Sequence, residues 1–378
     1  MNGKIIAIAA VVVLVAAGVG VGVYALNNND KDEKTGGLYD LKADVLYVDM
    51  GGMSSTPKMA ETIEYMYEEV YGKLAKGADD LTLDQAKANA DFWDNYGKYT
   101  PTATVANDGK ITYSTLVDSS KKENITLDKP ADVLLSTGTA YHTIIYYALC
   151  QKYNVEPYSK EADNNTNLVN DFRAIAKGSL LSSSIETSTP GLLKYYADDY
   201  ISDAGSLKNY DLEQLGKDVK KFTDQGKSVI LMGSGTIAKD KNKSVYDTTV
   251  ANGGQIALNS ATSIPTTYAG IDLVGKLFGL QDYTDKVIQD LQLRLYKVWW
   301  SVQQKQETHK AYFESSSGTA SKNTGSGAEL CKFLGFDISL FDGKEHDTES
   351  LLAAQPDVLI FYTNDTRDED VKMRIATA

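Results

Sequence analysis

Cysteine and histidine are scarce in this chain, and basic residues are outnumbered. Two cysteines, Cys150 and Cys331, stand far apart among 378 residues, so neither a disulfide framework nor a metal ribbon is encoded. No cysteine precedes Cys150, which excludes a lipid carried on a cysteine near the N-terminus. The three histidines, His142, His309 and His346, are scattered, and no preformed shell for a bare metal ion is expected. Lysine and arginine total 38 against 51 aspartates and glutamates, a net charge of -13, which opposes a nucleic-acid partner. There is no Gly-x-x-x-x-Gly-Lys-Ser/Thr phosphate loop, no His-Glu-x-x-His and no paired-carboxylate motif. Neither a catalytic constellation nor a cofactor is expected, and the chain is read as a non-enzyme. Proline is absent between Pro265 and Pro356, which leaves room for a long helix.

What the chain does have begins with residues 5–26, "IIAIAAVVVLVAAGVGVGVYAL", an uncharged run long enough to cross about 30 Å of hydrocarbon as a helix. Lys4 precedes it and acidic residues follow, which places the bulk of the chain outside the cytoplasm. Its length favours an uncleaved single-pass anchor over a cleaved signal. Residues 27–37 are polar and end in two glycines, as a linker does.

Beyond the linker, strand and helix patterns alternate. "ADVLYVDMGG" reads as a strand, and "PKMAETIEYMYEEVYGKLAKG" as an amphipathic helix with Met59, Ile63, Met66 and Val70 on one face. Residues 78–99 read as helical, with Phe92, Trp93 and Tyr96 inward. Short strands follow in "KITYSTLVD" and "ENITLD", then the apolar strand "DVLLST" and the helix "TAYHTIIYYALCQKY". "DLEQLGKDVKKFTDQGKSVILMGSGT" repeats helix then buried strand, "GGQIALNSATSIP" adds another strand, and "TTYAGIDLVGKLFG" another helix. Tyr283, Val287, Leu291, Val298 and Val302 form one stripe, predicting a single helix over 281–306. "KAYFESSSGT", "GAELCKFLGF" and "TESLLAAQPDVLIFYTND" close the chain as strand, helix, then helix and buried strand.

Three strands run into a small-residue turn ending in Gly-Thr: "VLLSTGT", "VILMGSGT" and "YFESSSGT", with "LYVDMGG" a partial fourth. Ordinary turn chemistry accounts for any single copy. Together they suggest one crevice edge, because turns at the carboxyl ends of parallel strands present backbone N–H groups and short hydroxyls where α/β folds bind ligands.

The order of elements resembles the substrate-binding proteins of ATP-driven importers for iron chelates, haem and cobalamin. The resemblance runs from about residue 105 onward. It is carried by "TYSTLVDSSKKENITLDKPADVLLSTGT", by the helix leading into "KLFGLQDYTDKVIQDLQLRL", and by "DTESLLAAQPDVLIF". It implies an α/β fold of two Rossmann-like lobes joined by a long bridging helix. The divisions expected are 1–37 (anchor or signal, and linker), 38–280 (first lobe, with 38–104 of no recognised counterpart), 281–306 (bridge) and 307–378 (second lobe). The second lobe is shorter than the resemblance implies, as in a fragment or a reduced lobe.

The function implied is extracytoplasmic binding of an iron chelate, haem or a cobalamin-like molecule between the lobes, by a membrane-anchored monomer that delivers it to an ABC permease and its ATPase. Position at strand ends selects Ser136, Thr137, Tyr141, His142, Ser234 and Thr236 from the first lobe and Glu314 and Ser316 from the second. Glu349 falls where the family docks its permease through the second lobe, while Thr143 or Ile144 stands where the first-lobe glutamate belongs. That departure, with the anchor, leaves open an adhesion or structural protein on the same fold.

Overall fold

A computed structural model describes residues 43–49, 56–116, 122–137, 140–179, 190–196, 205–206, 209–234, 237, 242–259, 261–316, 319–344, 346 and 348–363. The apolar segment 5–26 lies outside them, and no helix among the described residues is long and apolar enough to cross a membrane.

The strands are β1 (Asp44–Asp49), β2 (Ala103–Val105), β3 (Ile111–Leu116), β4 (Lys122–Leu127), β5 (Val133–Ser136), β6 (Ala176–Ser179), β7 (Gly205–Ser206), β8 (Asn209–Tyr210), β9 (Val229–Gly233), β10 (Gln255–Leu258), β11 (Ala311–Ser316), β12 (Thr319–Ala320) and β13 (Val358–Thr363). Among the described residues the α-helices of six or more residues are α1 (Met59–Tyr71), α2 (Leu83–Ala88), α3 (Ala140–Tyr153), α4 (Thr166–Ile175), α5 (Leu212–Thr223), α6 (Lys243–Ala251), α7 (Ile264–Leu277), α8 (Gln281–Gln303), α9 (Ser326–Phe333) and α10 (Thr348–Ala354).

The first sheet has the order β10-β9-β5-β6, every pair parallel. Its strands are apolar at successive positions because both faces are covered, and alternation decides which face each residue meets. Val133, Leu135, Val229, Leu231, Ile256 and Leu258 pack with Leu215, Val219 and Phe222 of α5 and Val245 of α6. Leu134, Ile230, Met232 and Ala257 turn the other way, into the main core with α3 and α7. The antiparallel sheet β2-β3-β4 leans on the outer strand of this layer. There Thr115 Oγ1 accepts from Leu258 N–H (3.0 Å) and Tyr113 OH donates to Ile256 O (3.2 Å), covering donors and acceptors that an edge strand would leave bare.

The second sheet has the order β1-β13-β11-β12. β13 is its centre, with β1 parallel on one side and β11 parallel on the other. Tyr47, Tyr312, Leu359 and Phe361 share one face with Leu351 of α10, and Leu46, Val48, Phe313, Val358 and Ile360 share the opposite face with the main core. This corrects the division at 38–280: β1 belongs to the second sheet, in register from Asp44 opposite Val358 to Asp49 opposite Thr363. The physical reason is that an apolar strand such as β13 needs parallel neighbours on both sides, and β1 supplies the one that β11 does not.

Residues 56–102 run back along α8. Ala75 N–H donates to Ser301 Oγ (3.1 Å), Lys305 Nζ to Tyr71 O (3.0 Å) and Gln292 Nε2 to Gly97 O (2.6 Å). The Phe92 ring lies 5.0 Å from Tyr296 and 5.7 Å from Trp299. Two sequence boundaries shift here. α1 stops at Tyr71, where Gly72 takes φ +78°, and the helix expected over 78–99 breaks up at Asn89, whose side chain caps a new turn through Phe92 N–H.

α8 is continuous for 23 residues, about 35 Å, ending three residues before the expected 306. Val287, Leu291, Val298 and Val302 are buried as the stripe requires, with Ile288 and Leu295 beside them. α7 and α8 cross so closely that a Cβ on Gly275 would lie 1.9 Å from Thr284 Oγ1.

Candidate functional site

The first sheet brings its carboxyl ends together at β5, β9 and β10. Thr137 N–H donates to Met232 O (2.9 Å) and Asn259 N–H to Gly233 O (2.9 Å). Gly233 fits between them because it has no side chain: a Cβ there would meet Thr137 Oγ1 at 2.7 Å and Ile237 Cδ1 at 2.6 Å. Ser136 and Thr137 are buried and Ser234 is half-buried, so these three sit at one strand-end cluster, whereas Thr236 lies outside the described residues.

Tyr141 is in the first turn of α3 with its ring buried and its hydroxyl donating to Asn259 O (3.0 Å), which ties the helix start to the strand end. His142 is fully buried, with Nδ1 against the Tyr196 hydroxyl. Burial holds its imidazole far below the ordinary range, at about 3, so it is neutral at physiological pH. Deeper still, Tyr158 N–H donates to Tyr146 OH (2.8 Å), which meets Tyr195 OH (2.9 Å), whose own hydroxyl donates to Asp163 (2.5 Å). These tyrosines form interior packing and a hydrogen-bonded chain under the cluster.

Glu314 is buried within β11, opposite Phe361 of β13 and Ala320 of β12. Ser316 ends the same strand, and the nature of its side-chain surroundings falls outside the described residues, as does the partial fourth turn at 50–52. Glu349 is exposed in the first turn of α10. Both cysteines are buried; burial raises the Cys150 thiol to about 12 and the Cys331 thiol further, which makes them packing groups. Among the described residues no group of three or more His, Cys, Asp or Glu could hold a metal ion.

A separate cavity of about 350 Å³ opens where α1, α3 and α8 converge. Val287 and Leu291 of α8 and Pro57 ahead of α1 give it apolar walls, and Glu61, Tyr147, Asp290 and Arg294 give it polar ones. Tyr147 lies six residues beyond Tyr141, about 9 Å further along α3, so this cavity is displaced from the strand-end cluster. Glu61 Oε1 accepts from Tyr147 OH (2.8 Å), linking the helix that follows β1 to a helix of the first sheet's layer. Arg294 Nε and Nη2 grip Glu64 as a fork (2.8 and 2.5 Å), and Nη1 is 3.7 Å from Asp290. Burial pushes the Glu61 carboxyl above its usual value, against the lowering effects of the Tyr147 hydroxyl, Arg294 and Lys58, while Glu64 raises it further. Sequence reasoning missed all of these residues. The one available signal was a charged pair four apart, Asp290 and Arg294, on a helix expected to be flanked by two lobes.

No family model and no curated protein matches the chain. Among solved structures it is similar to a periplasmic binding protein from Veillonella parvula, at 15% identity over 71% of this chain and 83% of that one, with a TM-score of 0.46. It is also similar to a possible iron-binding, periplasmic solute-binding protein from Staphylococcus epidermidis (16% identity, 62% and 78% covered, TM-score 0.40). A third is the periplasmic haem-binding protein HutB of Vibrio cholerae (13% identity, 61% and 76% covered, TM-score 0.40).

Proposed function

We propose that this chain is an extracytoplasmic solute-binding protein that takes an iron chelate, haem or a cobalamin-like molecule in the crevice between its two sheets and passes it to an ABC permease. The observation that carries this reading is the architecture: two sheets of parallel strands, one built from residues 133–258 and the other around β1, β11 and β13, with the long helix α8 leading from the first to β11 of the second. Open parallel sheets bind ligands outside the carboxyl ends of their strands. In this reading Thr137 and Ser234 face the ligand with Ser136 behind them, Thr236 joins them by its place in the sequence, and Glu314 and Ser316 face it from the other sheet. Tyr141 and His142 support the first edge from below, Tyr141 through its hydrogen bond to Asn259. Segment 5–26 holds the monomer at the membrane, and the exposed Glu349 is the contact for the permease. No catalytic step is assigned.

Titrating the chain from Gly36 onward with ferric siderophores, haemin and cobalamin, followed by tryptophan fluorescence, tests the reading. One of the three is expected to bind, and Tyr141→Ala to weaken it by about 1 to 3 kcal/mol through loss of the strand-end support. If none binds, either to this chain or to any longer natural one, the transport reading fails and a surface adhesion role on the same fold replaces it.

A further inference from the structure

The cavity between α1, α3 and α8 is not part of the strand-end crevice, and its chemistry differs. Its volume of about 350 Å³ lies within the range of small-molecule sites. It combines an apolar wall, Val287 and Leu291, with carboxylates that outnumber the cations available to them. Arg294, which borders the cavity, is already committed through two hydrogen bonds to Glu64. Lys58 holds its ammonium 5.1 Å from the centre of the Tyr158 ring, and its charge acts on Glu61 from there. Glu61 accepts the Tyr147 hydroxyl on one oxygen and receives no bond from a described residue on the other. Asp290 stands at the rim, 55% exposed and beyond hydrogen-bond distance of Arg294, and Glu156 is at the mouth. An anionic guest would meet three carboxylates, Glu61, Asp290 and Glu156, against one guanidinium, Arg294, that is already bonded to Glu64, and a neutral apolar guest would strip water from those carboxylates without compensation.

We propose that this cavity is a second binding site, for a small organic cation: a protonated amine or guanidinium on a short apolar body. The charged end lies between Glu61 and Asp290, and the body lies along Val287 and Leu291. The Tyr147 ring adds an aromatic wall on which a cation is favoured. Because the walls come from the helix after β1, from a helix of the first layer and from the bridge, an occupant ties the two lobes together.

The affinity depends on pH in a defined sense. The groups facing Glu61 are Lys58 and Glu64 from its own segment, Tyr147 from α3 and Arg294 from α8, and their balance with burial leaves its pKa raised. The cation needs the ionised carboxylate, so affinity falls as pH drops through that raised value.

Calorimetric titration with benzylamine tests the site, with benzyl alcohol as the uncharged control of the same shape. Benzylamine is expected to bind at one site at least about tenfold more tightly than the alcohol, since one charge-assisted hydrogen bond in such a setting is worth about 1.5 to 3 kcal/mol, and tenfold is 1.4 kcal/mol. Asp290→Asn, at an exposed position that leaves the fold intact, and Glu61→Gln, which keeps the Tyr147 hydrogen bond, should each abolish most of that preference. Absence of benzylamine binding, equal binding of the alcohol, or a preference that survives both substitutions overturns the proposal. The chelate titration is read from a separate curve on the same protein, so either reading can fail while the other stands.

Discussion

His142 is fully buried, with the Tyr196 hydroxyl at Nδ1. The consequence is a stability that depends on pH. In the unfolded chain the imidazole titrates near its ordinary 6.5, and in the folded protein burial lowers that to about 3. Between those values the unfolded chain binds a proton that the folded protein refuses. The stabilising contribution of a neutral His142 is therefore complete above pH 6.5 and is lost progressively as pH falls through the window. At pH 5 the loss amounts to about 2 kcal/mol. His142→Phe removes the titration, so its drop in melting temperature between pH 7 and pH 5 should be smaller than that of the wild type by a few degrees. Equal drops in calorimetric melts of the two proteins would show that the imidazole protonates without unfolding.

At the scale of elements, the crossing of α7 and α8 makes a prediction against ordinary helix propensity. Alanine in place of a mid-helix glycine normally stabilises by about 0.5 to 1 kcal/mol. Gly275 lies inside α7, but a Cβ there would sit 1.9 Å from the Thr284 hydroxyl of the buried α8 face. Gly275→Ala is expected to destabilise by about 1 to 3 kcal/mol, and adding Thr284→Ala to recover part of it, in denaturant melts of the single and double variants. The helices themselves were legible from periodicity: the stripe through Val287, Leu291, Val298 and Val302 is the buried face of α8, and the unbroken apolar runs at 133–135, 229–232 and 358–361 are buried strands. Their closeness was not legible, because Gly275 and Thr284 carry a meaning only once two helix axes are placed. The strand-end cluster was half legible. Position named Ser136, Thr137 and Ser234, but composition could not show that Tyr141 and His142 point into packing. Glu61, Asp290 and Arg294 escaped because a charged residue on a helix reads as solvated until the opposing surface is known.

For the whole molecule, the parallel pairing of β1 with β13 is what local pattern could not disclose, since a strand's alternation states its faces and not its neighbour. Without β1 the central strand of the second sheet becomes an edge, with a bare row of N–H and C=O groups. A chain starting at residue 56 is therefore expected to self-associate, running as oligomers in size-exclusion chromatography where the chain from Gly36 onward runs as a monomer. A monomeric, equally stable product would mean that the pairing contributes little.

That same pairing sets an order in time. The strands of the first sheet occupy a continuous stretch of chain and can find one another as soon as residue 258 has been made. β1 is made before any of them, yet its partner follows roughly 300 residues later. Such a distant closure is slow, because the loop entropy must be spent before the contact rewards it. During synthesis β1 waits unpaired until β13 has emerged, and that late pairing decides when the second sheet is complete.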